Sequence, residues 1–380
     1  MTIVPAMNPL RAIQLDDPYP YYAELTRERP FYFDSELKLW VAADAASVRA
    51  VLAAPHMQVR PSAQPIPSGI VDTPAGEIFR QLVRMRENEY QQRIKSVIIQ
   101  ALSSADLQQV RRLAMELAVM QLRQGTELNA WLFSVPASVV ATLCGFIPEE
   151  VPDIVALIAE FVLCIPATAN AEQQARASKA AEQLLAYFGK EIEKARQGTL
   201  LSALLQTAVS QEWTQRAPLI ANAIGFLSQT YDATAGLIGN ALLAAQRYPK
   251  IQLADACPEF VKEVSRFDAS IQNTRRFATE AFAYCGHVVE PGQTVLLLFA
   301  AANRDPAINT YPQEFILDRA EATSFSFSDG RHRCPGASLA QAITCGMLDA
   351  MQRYNPEAIG QVQHTGYLPS GNARIPELIL

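Results

Sequence analysis

The sequence predicts a mainly α-helical fold with small β-sheets, organised as one large domain over residues 1–380. Three observations carry that expectation. Long stretches repeat apolar residues at helical spacing, strand-like runs are few and short, and no repeat, low-complexity tract or Gly/Ser/Pro-rich linker divides the chain. At 49% hydrophobic and 18% charged residues the chain has ample material for a buried core, which excludes disordered and fibrous classes.

Along the chain, the first element is a hairpin. In PFYFDSELKLWVAAD, from Pro30, two short runs flank a polar turn at Asp34 to Glu36. Residues 45–52, 90–101, 107–122, 171–195 and 219–248 then have the length and composition of helices. Strand signals return at 276–283 and at 294–299, the latter after a Pro291-Gly292 turn. Residues 129–148 and 219–245 are apolar enough to be tested as membrane spans. Pro136 amid Ser and Thr in the first, and Asn222, Ser228, Gln229, Thr230, Asp232 and Asn240 in the second, read as buried helices of a large core, so no membrane partner is expected.

The first twenty residues lack an apolar run behind a basic stretch, so the mature chain is expected to begin near Met1. A formal net charge of -6 argues against nucleic acid as the main partner, because phosphate binding needs a concentrated positive field. Six cysteines without a C-x-x-C pair, and four histidines without zinc spacing, fit a reducing, cytoplasmic compartment.

Chemistry concentrates at FSDGRHRCPG, Phe327 to Gly336, followed by a helical stripe of Leu339, Ile343 and Met347. A cysteine just ahead of a helix meets unpaired N–H groups and the positive end of the dipole, both of which favour thiolate over thiol. Arg331, His332 and Arg333 add positive charge beside Cys334. Gly330 and Gly336 would let backbone approach a flat cofactor where a β-carbon would collide. The plain alternative is a structural cysteine in a turn.

The surrounding pattern tells against that alternative. FSDGRHRCPG resembles F-x-x-G-x-H-x-C-x-G, the cysteine-ligand loop of the cytochromes P450, at every fixed position. Upstream, Glu263-Val264-Ser265-Arg266 resembles the family's E-x-x-R, and Pro312-Gln313-Glu314-Phe315 with Arg319 its P-x-x-F-x-x-x-R, whose arginine joins the Glu–Arg pair. The opening DDPYPYYAELTRERPFYF is also similar, so the resemblance spans nearly the whole chain and implies the cytochrome P450 fold.

It further implies haem b, iron protoporphyrin IX, with Cys334 as the axial iron ligand and Phe327 and Gly336 as loop residues against the cofactor. Arg276 in RRFAT stands where the family pairs a strand arginine with a haem propionate, and His332 is expected at the other propionate. In EYQQRIKSVIIQALS, Gln91 and Lys95 align with a His/Arg pair that crosses the opposite side of the haem. The family's oxygen-side helix carries [A/G]-G-x-[D/E]-T-[T/S]. Here the matching piece is Gln229 to Thr234, which keeps the acid as Asp232 and replaces the adjacent alcohol by Ala233. Thr234 and Thr230 lie at i,i+4 on one face. Either hydroxyl, one from substrate, or ordered water completes the proton relay, unless both threonines only bond back to helix carbonyls.

The implied activity is insertion of one oxygen atom from O2 into a small organic substrate. With no flavin or iron–sulfur domain in the chain, electrons come from a separate ferredoxin or flavodoxin with its reductase. Arg80, Arg84, Arg86, Arg93, Lys95, Arg111 and Arg112 are expected to form a docking face for that donor. Ala233 keeps open a peroxide-driven or non-oxygenating catalyst, and Asp232 argues against a haem-based sensor or carrier. Mixed apolar and amide residues at 62–79, 161–169, 226–234, 271–274 and 366–368 suggest a mid-sized substrate with some polar groups.

Overall fold

Strands Phe31–Asp34 and Leu39–Ala42 pair antiparallel, with Phe31 opposite Ala42, so the first predicted element is a hairpin. The Asp34 carboxylate caps its turn by accepting from the N–H groups of Glu36 and Leu37. The computed structural model describes residues 7–319, 322–354 and 357–380, which are mostly helical with one five-stranded and two two-stranded sheets. Among them no helix is long and apolar enough to cross a membrane. The chain divides into two units, one made of Met1–Gln58, Gly236–Arg333 and Glu357–Leu380, the other of Val59–Ala235 and Cys334–Pro356.

The first unit is organised by the five-stranded sheet. Leu39–Ala42 pairs parallel with Thr294–Leu297, which pairs antiparallel with Thr274–Ala278, and that strand with Met57–Gln58. Alternation along Thr294–Leu297 shows why both faces are covered. Val295 and Leu297 join one apolar cluster with Ala42, Val51 and Phe299, while Leu296 and the following Leu298 join another with Tyr22, Leu25 and Val41. The run 276–283, read as one strand, is two: the Thr279 N–H and hydroxyl both donate to the His56 carbonyl, and the chain leaves the sheet before Phe282–Tyr284.

In the same unit, helix Leu253–Phe267 buries Glu263 and Arg266. The guanidinium binds the carboxylate through two bonds, Nε to Oε2 at 2.8 Å and Nη2 to Oε1 at 2.7 Å. Arg319 Nε lies 3.5 Å from Glu263 Oε1, and the Ile316 N–H donates to the same oxygen. Remaining Arg266 donors reach the carbonyls of Asn303, Pro312 and Glu314. The predicted three-residue cluster is therefore present, and it ties the 303–319 segment to the helix.

The second unit is helical. Leu107–Arg123 starts on an Asp106 cap and packs against Ala337–Tyr354 at Gly346, where a β-carbon would fall 2.2 Å from the Arg111 carbonyl oxygen. Arg111 clamps Asp349 across this contact with bonds of 2.6 and 2.8 Å. Leu128–Cys144 keeps its helical path despite Pro136, and Trp131 donates to the Ala118 carbonyl. The long helix Arg216–Arg247 enters this unit up to Ala235.

Candidate active site

Helix Ala337–Tyr354 opens where the Gly336 carbonyl accepts from the Ala340 N–H, so Cys334 stands two residues ahead of its first helical turn. The Cys334 sulfur accepts a hydrogen bond from the Gly336 N–H, one of the free donors expected at a helix start. Cys334 is exposed, yet desolvation pushes its thiol up, opposed by that hydrogen bond and by the charges of Lys95 and Arg84. A β-carbon on Gly336 would come no closer than 3.9 Å to anything, the nearest atom being this sulfur, so packing does not require glycine there. What glycine leaves free is space beside the sulfur. A single soft sulfur donor with open approach, in residues that hold no group of three or more potential metal-ligating His, Cys, Asp or Glu among those described, suits a porphyrin-held iron better than a protein-caged ion.

The charges that act on the sulfur are not the ones adjacent to it in sequence. Arg331 is engaged with the carbonyls of Ala54 and Met57, at 3.0 and 2.8 Å. Gly330 has φ +61°, so it serves the left-handed backbone of the loop, and a β-carbon there would meet only the Leu52 carbonyl within 4 Å. Lys95 comes from helix Asn88–Ser103, one turn after the buried Gln91 on the same face, as the i,i+4 alignment anticipates.

Helix Arg216–Arg247 carries the acid. Asp232 is exposed, yet desolvation raises its pKa, with Arg84 pulling it back down. The two threonines separate. Thr230 donates its hydroxyl to the Phe226 carbonyl at 2.7 Å, and Gln229 likewise bonds back to Gly225. Thr234 is buried and makes no such bond. The back-bonding alternative therefore holds for Thr230 alone.

Arg84 was expected on a docking surface and is instead half-buried with its Nε enclosed, its pKa lowered by desolvation and raised by the charges of Asp232 and Cys334. Arg111 is held by Asp349, while Arg86 and Arg93 lie over the rings of Tyr90 and Trp213. Of the predicted face, Arg80, Arg93 and Arg112 are exposed. The signal for Arg84 was its setting, a lone cation in Leu82-Val83-Arg84-Met85.

In the first unit, Arg276 is buried in strand Thr274–Ala278 with Nη1 on the Arg275 carbonyl at 2.9 Å. Strand alternation sends Arg275 to the other face, where it is exposed and its pKa is lowered by desolvation. His332 ends the short turn Gly330–His332, half-buried, as is Phe327.

Residues 240–365 match the family model described as Cytochrome P450. The chain is 27% identical to the putative cytochrome P450 133B2 of Xylella fastidiosa (strain Temecula1), covering 95% of each chain. It is 25% identical to the biotin biosynthesis cytochrome P450 of Bacillus subtilis (strain 168), over 86% of each. Among solved structures it is similar to P450BioI in complex with hexadec-9Z-enoic acid ligated acyl carrier protein, with a TM-score of 0.82 at 23% identity over 98% of each chain. It is also similar to epothilone B-bound cytochrome P450epoK, with a TM-score of 0.84 at 19% identity over 98% of each. At these identities the structural likeness establishes the fold.

Proposed function

Because the chain belongs to the cytochrome P450 family, we propose that it inserts one oxygen atom from O2 into a small organic substrate of mid size with some polar groups, using electrons from a separate ferredoxin or flavodoxin and its reductase. Its cofactor is haem b, and its general activity is that of a haem-thiolate monooxygenase. Residues 1–380 act as one catalytic domain in this reading, since neither unit is a continuous piece of chain. The reaction is read as cytoplasmic, a setting that the six free cysteines support.

The observation that carries the assignment is Cys334: a reachable sulfur at a helix start, within a loop that meets the family pattern at every fixed position. When bound, the haem supplies activation of dioxygen, with thiolate ligation favouring O–O cleavage. Cys334 would hold the iron as its thiolate, a form that desolvation of the sulfur disfavours and that the metal's charge would favour. Gln91, Lys95, Arg276 and His332 would hold the propionates, with Phe327 and Gly336 lining the loop side. Asp232 takes protons from solvent and passes them inward, a role suited to a carboxyl that is exposed and has a raised pKa. Thr234, whose hydroxyl is not spent on its own helix, is the first candidate to receive them, and Thr230 the second.

The test is spectroscopic. The ferrous carbonyl complex should absorb where thiolate-ligated haems do, and Cys334→Ala should lose that band. A spectrum of the neutral-histidine type in the intact protein, or unchanged ligation in the variant, overturns the assignment. Ala233 favours a second reading, a peroxide-driven catalyst, because the usual alcohol beside the acid is missing. Product formed with O2 and a reductase, compared with peroxide alone, decides between them.

A further inference from the structure

The turn that carries Arg84 is fastened to the long helix with unusual completeness. Asn222 accepts from the Val83 N–H at 2.8 Å and donates to the carbonyls of Gln81 and Pro218, at 2.9 and 2.8 Å. One turn further along the helix, a β-carbon at Gly225 would fall 2.8 Å from Leu82 Cδ2, so the small residue is what admits the turn so closely. The main chain leading into Arg84 is thus fixed. Its side chain is not. Arg84 is half-buried, its Nε is buried with no hydrogen-bond partner, and no salt bridge or side-chain hydrogen bond of Arg84 is formed among the described residues, so its terminal nitrogens stay open to a ligand.

A guanidinium presents five donors in a planar fork, and withdrawing even part of it from water without an acceptor leaves that desolvation uncompensated. Asp232 and Cys334 are near enough to be felt as charges but do not pair with it, and Lys95, which also acts on Cys334, adds positive charge to the same surroundings. An anion with two oxygens in one plane is the complement that such a fork lacks.

We propose that Arg84 is a carboxylate-binding residue whose ligand is the acid group of the substrate, which makes the substrate a carboxylic acid. A haem propionate is the other source of the same chemistry. The substrate is favoured because the turn is tied to the helix that bears Asp232, whereas Gln91 and Lys95 already stand as propionate donors in this unit. The proposal rests on the haem-thiolate reading, whose own failure would show in the wild-type ferrous carbonyl spectrum before any acid is added.

The haem-loaded protein is titrated with decanoic, hexadecanoic and phenylacetic acids and with the methyl ester of each, following the ferric Soret shift. Apo-protein is titrated with haemin and with haemin dimethyl ester. Wild type, Arg84→Gln and Arg84→Lys are compared. At least one acid should bind about tenfold or more tightly than its ester to wild type, a preference that Arg84→Gln abolishes with haemin affinity unchanged. Arg84→Lys, which keeps the charge without the fork, should retain only part of it and keeps the test decisive should the glutamine variant fold poorly. If Arg84→Gln instead weakens haemin binding and no longer distinguishes haemin from its diester, the carboxylate site stands and its ligand is a propionate. Variants that match wild type in both titrations overturn the proposal, as does a wild type with neither acid preference nor Arg84-dependent haem binding.

Discussion

Arg266, Arg304 and Arg374 in the first unit are buried with every guanidinium nitrogen bonded, whereas Arg84 in the second is half-buried with an unpartnered Nε. Arg304 gives its Nε and Nη2 to the Phe267 carbonyl and Nη1 to Gln313, with Tyr19 stacked 3.3 Å away. Arg374 reaches Asp268 and the carbonyls of Ile13, Leu15 and Asp16. These side chains stitch distant segments of one unit together. The carboxylates differ in the same sense: Glu263 is enclosed by three donors, while Asp232 faces open space. Saturated charge holds structure, and charge left unsaturated in a fixed frame is available to a ligand or a proton.

The strongest way to break this contrast is to remove a partner on the saturated side. Glu263→Ala strands two arginines, and unfolding free energy should fall by about 3–5 kcal/mol with poor haem retention, read by urea denaturation and haem content. A stable, haem-replete variant with altered turnover alone would move Glu263 into the catalytic class. On the unsaturated side, Asp232→Asn should fold normally and lose about 10²-fold in turnover, with peroxide released in place of product. Its pH dependence sharpens the point. The folded protein holds the Asp232 proton more tightly than the unfolded chain, so this group's contribution to stability falls as pH rises from the ordinary carboxylate pKa to the raised one. Asp232→Asn should therefore flatten the stability profile there and melt no lower than wild type at neutral pH.

Smaller effects test the helix itself. Thr234→Ala should lower product per reduced cofactor severalfold, and Thr230→Ala should be nearly silent because its hydroxyl already belongs to Phe226. Equal effects of the two would erase the distinction. Least of all, Arg111→Ala should cost about 1 kcal/mol in thermal unfolding, since its bidentate pair with Asp349 is partly exposed.

Much of this was legible in residue order. Helix positions follow from apolar spacing, and Glu263, Arg266 and Arg319 are found together as the resemblance implies, because a short motif with a fixed partner leaves little freedom. The strand read over 276–283 shows the limit: its break depends on His56, more than two hundred residues away, and no local propensity encodes that bond. Arg84 was misplaced for the same reason. Charge alone put it on a surface, while Asn222, read merely as a polar residue in a buried helix, is what draws its turn inward. The difference between Thr230 and Thr234 was equally invisible, since both have the same chemistry and only the rotamer decides.

The order in which the units occur along the chain has a consequence for biosynthesis. Helix Leu107–Arg123 leaves the ribosome long before Ala337–Tyr354, the helix that covers its Arg111 to Met115 face. Between Ala235 and Cys334 the nascent chain spells out nearly a hundred residues of the other unit, a delay on the order of 5–20 s at bacterial-type elongation rates of about 5–20 residues per second. Throughout that interval the second unit exists without the segment that bears Cys334. Until then the unfinished helices, with apolar faces still bare, are the species a chaperone would meet.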